Sequence, residues 1–211
     1  MKIRISLLIF ILVGNIFGQN QDDYRKELFN RIHEYNLGAI KKASSKIKIP
    51  DLSKAKFKEN EAELRVWIII EMFGVYWVEC FSLRKENEQM KASYIVGLKQ
   101  PPKKFKFKKF SLDEPKNGWQ SLNKYLKTNG IDFDLNLTPE SETIGGVHVE
   151  TIQIEAMSGD KYKMYWYPVT TKNTDGKKVQ LLCSKLIEEF DLNLEKFSFD
   201  GSKYKRLKCD N

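Results

Sequence analysis

The spacing of hydrophobic and polar residues changes several times along this chain, and each change marks an element. Over residues 22–45, Tyr24, Leu28, Ile32, Tyr35 and Ala39 recur three and four apart, which predicts a helix with one apolar stripe. Asp22 and Asp23 stand in its first turn and Lys41 and Lys42 in its last, where the helix dipole favours each charge. His33 lies beside the stripe and reads as an exposed or half-buried helix residue. Pro50 closes the region, and a basic, weakly patterned stretch leads to Glu59.

From Glu63 the period becomes two. Leu64, Val66, Ile68, Ile70 and Met72 share one strand face, and Arg65, Trp67, Ile69, Glu71 and Phe73 share the other. The first face is wholly apolar; the second mixes charge with aromatic surface. Gly74 marks a tight turn or bulge. Val75–Leu83 and Ala92–Leu98 read as two further strands joined by the polar turn Lys85–Gln89, giving an antiparallel meander.

After Pro101 and Pro102, Phe105 and Phe107 alternate with Lys104, Lys106 and Lys108, and the rhythm breaks at Lys109 and Phe110. Entry prolines and solvent-side lysines are ordinary guards of a sheet edge, so the strip reads first as an edge strand. A helix is expected from about Trp119 to Thr128, with Trp119, Leu122 and Leu126 inward and Asn129-Gly130 as its stop. Ile131–Leu137 alternates again and predicts a strand. Val147–Met157 and Lys161–Tyr167 predict a hairpin around Ser158–Asp160. Val179, Leu182, Cys183, Leu186, Ile187 and Phe190 form a last helical stripe starting near Thr174 and Asp175. The tail 191–211 holds Phe197, Phe199, Tyr204 and Leu207 and is expected to pack.

Hairpin-length connections between these elements exclude a doubly wound parallel sheet. They predict an α+β fold: an antiparallel sheet, meander plus hairpin, with about three helices packed against one face. With 211 residues, no internal repeat and no Gly/Ser-rich linker, the chain is read as residues 1–18 followed by a single domain over 19–211.

Residues 1–18 are read as a signal peptide. Lys2 and Arg4 precede the apolar run Ile5–Val13, and the small residue Gly18 stands before polar Gln19–Asp23. The apolar stretch, interrupted by Asn15, falls short of the ~20 residues that span a bilayer, and no cysteine follows for lipid attachment. Cleavage near Gly18 and a periplasmic or secreted location are expected, with no transmembrane segment in the mature chain.

Charge is segregated. Of a formal +8, removal of Lys2 and Arg4 leaves +6. Residues 41–58 hold seven lysines against one aspartate, 99–109 hold six lysines and no acid, and 203–208 hold three lysines and an arginine. Such patches suit an anionic polymer or surface as partner, and they also keep a protein soluble. Cys80, Cys183 and Cys209 allow one disulfide in any of three pairings, or three reduced thiols.

No Gly-x-Ser-x-Gly elbow, P-loop or dinucleotide glycine pattern is present, and the two histidines, His33 and His148, lack a marked nucleophile. No catalytic set, metal site or cofactor is assigned. His148 and Glu150 share a strand face, but two ligands do not make a metal site. Asp132, Asp134 and Asn136 imitate the start of a calcium loop, yet its sixth position is Leu137 and its twelfth Thr143. The candidate binding residues are Lys103, Lys104, Lys106, Lys108 and Lys109 for anion contacts, Phe105 and Phe107 for stacking, and Arg65 with Trp67 as a possible groove floor. For Arg65 and Trp67 the simpler reading is a face covered by a helix, with Glu63 or Glu71 pairing the guanidinium.

The segments Glu63-Leu-Arg-Val-Trp67 and Pro115-Lys-Asn-Gly-Trp119, set in this order of hairpins and helices over about residues 60–190, resemble a group of small uncharacterised bacterial proteins. That resemblance implies no activity. The leading expectation is an exported, non-enzymatic binding or interaction module, with an anionic or a protein partner. The alternatives are a hydrolase using sheet-face carboxylates such as Glu63 and Glu71, and an inhibitor or immunity-type protein.

Overall fold

A computed structural model describes residues 27, 30–72, 75–99, 102–140 and 151–192, with 71 and 72 as backbone. Helix α1 covers 30–47, followed by a 3-10 turn at Leu52–Lys54. Strands β1 (Ala62–Met72), β2 (Val75–Glu86), β3 (Gln89–Lys99) and β4 (Lys106–Leu112) follow. Helix α2 (Gly118–Thr128), strands β5 (Thr151–Ser158) and β6 (Lys161–Pro168), and helix α3 (Thr174–Glu189) complete the described chain. The strands form one six-stranded sheet in the order β4-β3-β2-β1-β5-β6, every neighbouring pair antiparallel. The α+β fold is therefore present, and the lysine–phenylalanine strip is an edge strand, β4.

Turn chemistry sets the register. Asn87 and Glu88 both take positive φ (49° and 67°), the backbone of a two-residue hairpin whose twist matches its flanking strands. This pairs Glu86 with Gln89 and carries the match down to Tyr76 opposite Lys99. On β3, Gly97 allows the Phe105 ring to lie on the sheet; a Cβ there would meet Phe105 Cζ at 2.5 Å and Val78 Cγ1 at 2.9 Å.

Three expectations need correction. The helices do not sit on one face. Leu64, Val66, Phe81, Tyr94, Ile154 and Tyr167 pack beneath Leu122 and Leu126 of α2 and Val179, Leu182 and Leu186 of α3. Trp67, Val78, Cys80 and Ile95 pack beneath Ile40, Ala43 and Ile47 of α1 on the opposite face. Second, the buried side of α1 is rotated from the expected stripe. Tyr35 is 69% exposed, whereas Asn36 is buried. Its Oδ1 accepts from Thr151 Oγ1 (3.0 Å) and Gln153 Nε2 (2.8 Å), so a polar residue is the better match to β5.

Third, 131–137 is not a strand but a set of turns. The Asp132 side chain accepts the Asp134 N–H, and its carbonyl accepts that of Leu135, a residue at φ 35°. The curled segment buries Ile131, Leu135 and Leu137 together, which two-residue alternation in the sequence imitates. Of the disulfide pairings left open, Cys80 with Cys183 is excluded, because the two are free thiols buried in cores on opposite faces. The leader, the His148–Glu150 pair, Cys209 and the tail beyond 192 lie outside the described residues.

The motif around Asn117 has a structural role. Glu189, at the end of α3, accepts from Asn117 N (3.0 Å) and Nδ2 (2.8 Å), while its carbonyl accepts from Lys116 N (2.7 Å). Lys185 Nζ reaches the same carboxylate at 2.9 Å. The start of α2 is thereby tied to the end of α3.

Candidate functional site

Only part of the α1-side face is covered by the helix. After residue 47, Lys48 turns the chain at φ 58° and Ile49 N–H bonds back to Ser44 O (3.0 Å). Asp51 accepts from Ser53 N and Oγ and holds the 3-10 turn. Beyond the helix end, β1–β4 and the connecting segment enclose an open cleft of about 310 Å³.

Register builds its floor. Arg65 lies opposite Ser82, Ser82 opposite Ser93, and Ser93 opposite Ser111, so one row crosses four strands. Neighbouring strands lie about 4.8 Å apart, and same-face rows are about 6.7 Å apart along the strand. The row on one side ends in Ile95 and Lys109; the row on the other carries Glu63, Arg84 and Lys91. Serine hydroxyls are thus flanked by cations on both sides. Ile49, Pro50, Ala55 and Phe57 supply the wall.

The inner end is a buried charge cluster. Arg65 Nε donates to Glu63 Oε1 (2.6 Å), and its Nη1 donates to Pro50 O (2.7 Å) and lies 3.7 Å from Glu155 Oε1. Glu63 also accepts from Ser82 Oγ at 2.8 Å. Glu155 accepts from Trp67 Nε1 (3.0 Å) and Tyr162 OH (2.8 Å). Burial pushes the Glu155 carboxyl above its usual range, outweighing the opposing pull of Arg65 and the two hydrogen bonds. Burial and the neighbouring Glu155 push the Tyr162 phenol up as well. Burial alone would lower the Arg65 pKa, but its partners, Glu63 foremost, raise it, so the guanidinium stays charged.

The outer end is wetter. Arg84 Nε pairs with Glu86 at 2.6 Å, and its guanidinium carbon sits 5.1 Å from the Phe57 ring centre. Lys91 Nζ pairs with the other Glu86 oxygen at 2.5 Å. Lys109 has no ion-pair partner among the described residues. Among the described residues, four cations and one carboxylate, Glu63, line the cleft.

The sequence candidates are distributed unevenly around this cleft. Arg65 and Lys109 meet there. Trp67 is fully buried under α1. Phe105 and Phe107 stack on each other with ring centres 6.4 Å apart, and Phe105 meets Tyr76 at 5.9 Å. Lys46 Nζ caps the Tyr76 ring at 4.0 Å. Lys103 and Lys104 are exposed ahead of β4. Lys106 and Lys108 are exposed at the alternate positions of β4 that share a face with Phe110, away from Lys109.

Ser82, Ser93, Ser111, Arg84 and Lys91 were not singled out in the sequence. Their signal was the hairpin turn: once Asn87-Glu88 is centred, Ser82 must face Ser93 and Arg84 must face Lys91. A larger depression of about 800 Å³ between the β2–β3 turn and α2 is shallow, and Trp119, Gln120 and Lys124 are among its lining. It gathers no buried charge. Among the described residues no three His, Cys, Asp or Glu side chains converge as a metal site, and no helix is long and apolar enough to cross a membrane. No family model matches the chain, and no curated protein or solved structure matches it significantly.

Proposed function

We propose that the chain is an exported binding module that recognises an anionic ligand in the cleft beyond α1. One observation carries this reading: Lys109, without an ion-pair partner among the described residues, stands beside the Ser93 and Ser111 hydroxyls in a cleft where cations outnumber carboxylates. Preformed donors on rigid neighbouring strands lower the ordering cost of binding. The hydrolase alternative requires two facing carboxylates, whereas among the described residues Glu63 is the one acid lining the cleft and is held by Arg65.

Thermal unfolding in phosphate, sulfate and citrate, each matched in ionic strength to chloride, tests the reading. Ligand binding to the folded state raises the midpoint. At least one anion is expected to raise Tm above the chloride control, and Lys109→Gln is expected to remove most of that rise. Equal midpoints in all four salts would overturn the reading. Export is supported by Lys2, Arg4 and the apolar run to Val13. Mass spectrometry of the exported fraction is expected to find a mature chain beginning near Gln19, and an intact Met1 terminus confined to the cell interior would overturn it.

A further inference from the structure

We infer that the cleft selects a phosphomonoester: a phosphate dianion held over Ser93 and Ser111 between Lys109 and Lys91, with its organic part against Phe57. This rests on the anion-binding reading and narrows it to one ligand class. The two cation-bearing rows lie on opposite sides of the hydroxyl row. A carboxylate presents two oxygens in one plane and satisfies donors from one side. A phosphomonoester presents three terminal oxygens in a fan, so hydroxyls below and ammonium groups on either side can each reach one.

Charge points the same way. Arg65 is taken up by Glu63 and Glu155, but Arg84, Lys91 and Lys109 set three cations against the single carboxylate of Glu86, which leaves two positive charges for a dianion. Glu86 holds Arg84 and Lys91 in place from behind, at 2.6 and 2.5 Å, so the cations are positioned before the ligand arrives. The wall argues for an ester instead of free phosphate. Half-buried Phe57 and Ile49 would be left facing water by the inorganic ion, and an attached carbon skeleton covers them. A volume of about 310 Å³ lies at the small end of ligand sites, enough for one phosphorylated unit.

Isothermal titration of the full chain with phenyl phosphate, phenyl sulfate, benzoate and inorganic phosphate tests this. Phenyl phosphate is expected to bind about tenfold more tightly than phenyl sulfate or benzoate, a difference near 1.4 kcal/mol. Its affinity is expected to fall several-fold between about pH 7.5 and 5, because a phosphomonoester takes up its second proton near pH 6. Phenyl sulfate should show no such fall. Lys109→Gln and Ser93→Ala are each expected to weaken phenyl phosphate, with circular dichroism verifying the fold. If benzoate or phenyl sulfate binds as tightly and depends equally on Lys109, the phosphomonoester inference is overturned and anion binding stands. If no probe binds, both fall.

Discussion

Arg65 is the residue on which the two halves of the α1-side face meet. It reaches Glu63 on its own strand, approaches Glu155 on β5, and fastens Pro50 of the connecting segment to the sheet. Removing the guanidinium while keeping the chain's bulk, as in Arg65→Met, leaves Glu155 buried without its cation and Glu63 with Arg84 alone, 3.8 Å away. Breaking such a pair costs about 3–5 kcal/mol, so urea unfolding of Arg65→Met is expected to show a loss of that order. A loss below about 1 kcal/mol, the surface-pair range, would show that the cluster contributes little to stability. Two-residue alternation placed Arg65 and Trp67 on one face, and the covered-face reading holds for Trp67. Alternation could not show where the covering helix stops. Nor could it reveal Asn36, whose partners Thr151 and Gln153 are more than a hundred residues away in sequence.

Elements were legible where one period ran long enough, as in β1, α2 and α3, and illegible where side-chain hydrogen bonds bend the backbone, as at Asp132. The junction of α2 with α3 shows what such reading leaves out, because the first-turn partner of Asn117 arrives from the far end of another helix. Burial opposes the charged form of Glu189, but hydrogen bonds from Asn117 and Lys185 outweigh it and hold its pKa below the usual range. A depressed carboxyl pKa adds stability that is fully present above the unfolded value, about 4.3. That stability is lost as pH falls through the folded value. Glu189→Gln is therefore expected to be less stable than the parent at neutral pH and to lose less on acidification from about pH 5 to 3. Urea midpoints across that window measure both. Parallel acid limbs in parent and variant would show that the tie has no proton linkage.

The whole molecule is a sheet clad on both faces and bare at its two outer strands among the described residues. At β4 the exposed Lys106 and Lys108 oppose edge-to-edge pairing. Replacing both with glutamine is expected to increase self-association in sedimentation velocity while leaving Lys109-dependent anion binding intact. If that binding disappears instead, these two lysines belong to the recognition surface. The central strand has a further consequence. β1 meets β2 across a short connection, but its other side waits for β5, with Ala62 opposite Ser158. Pairs so distant in sequence close late and are slow to form. Until they close, the run from Leu64 to Ile70 offers an open apolar strand to any second chain. Refolding yield should therefore fall as protein concentration rises, and native-state hydrogen exchange should release β5 and β6 before β2 and β3. The strand that carries Arg65 and its buried carboxylate partner Glu63 is thus also the one most exposed to misassembly while the chain is being made.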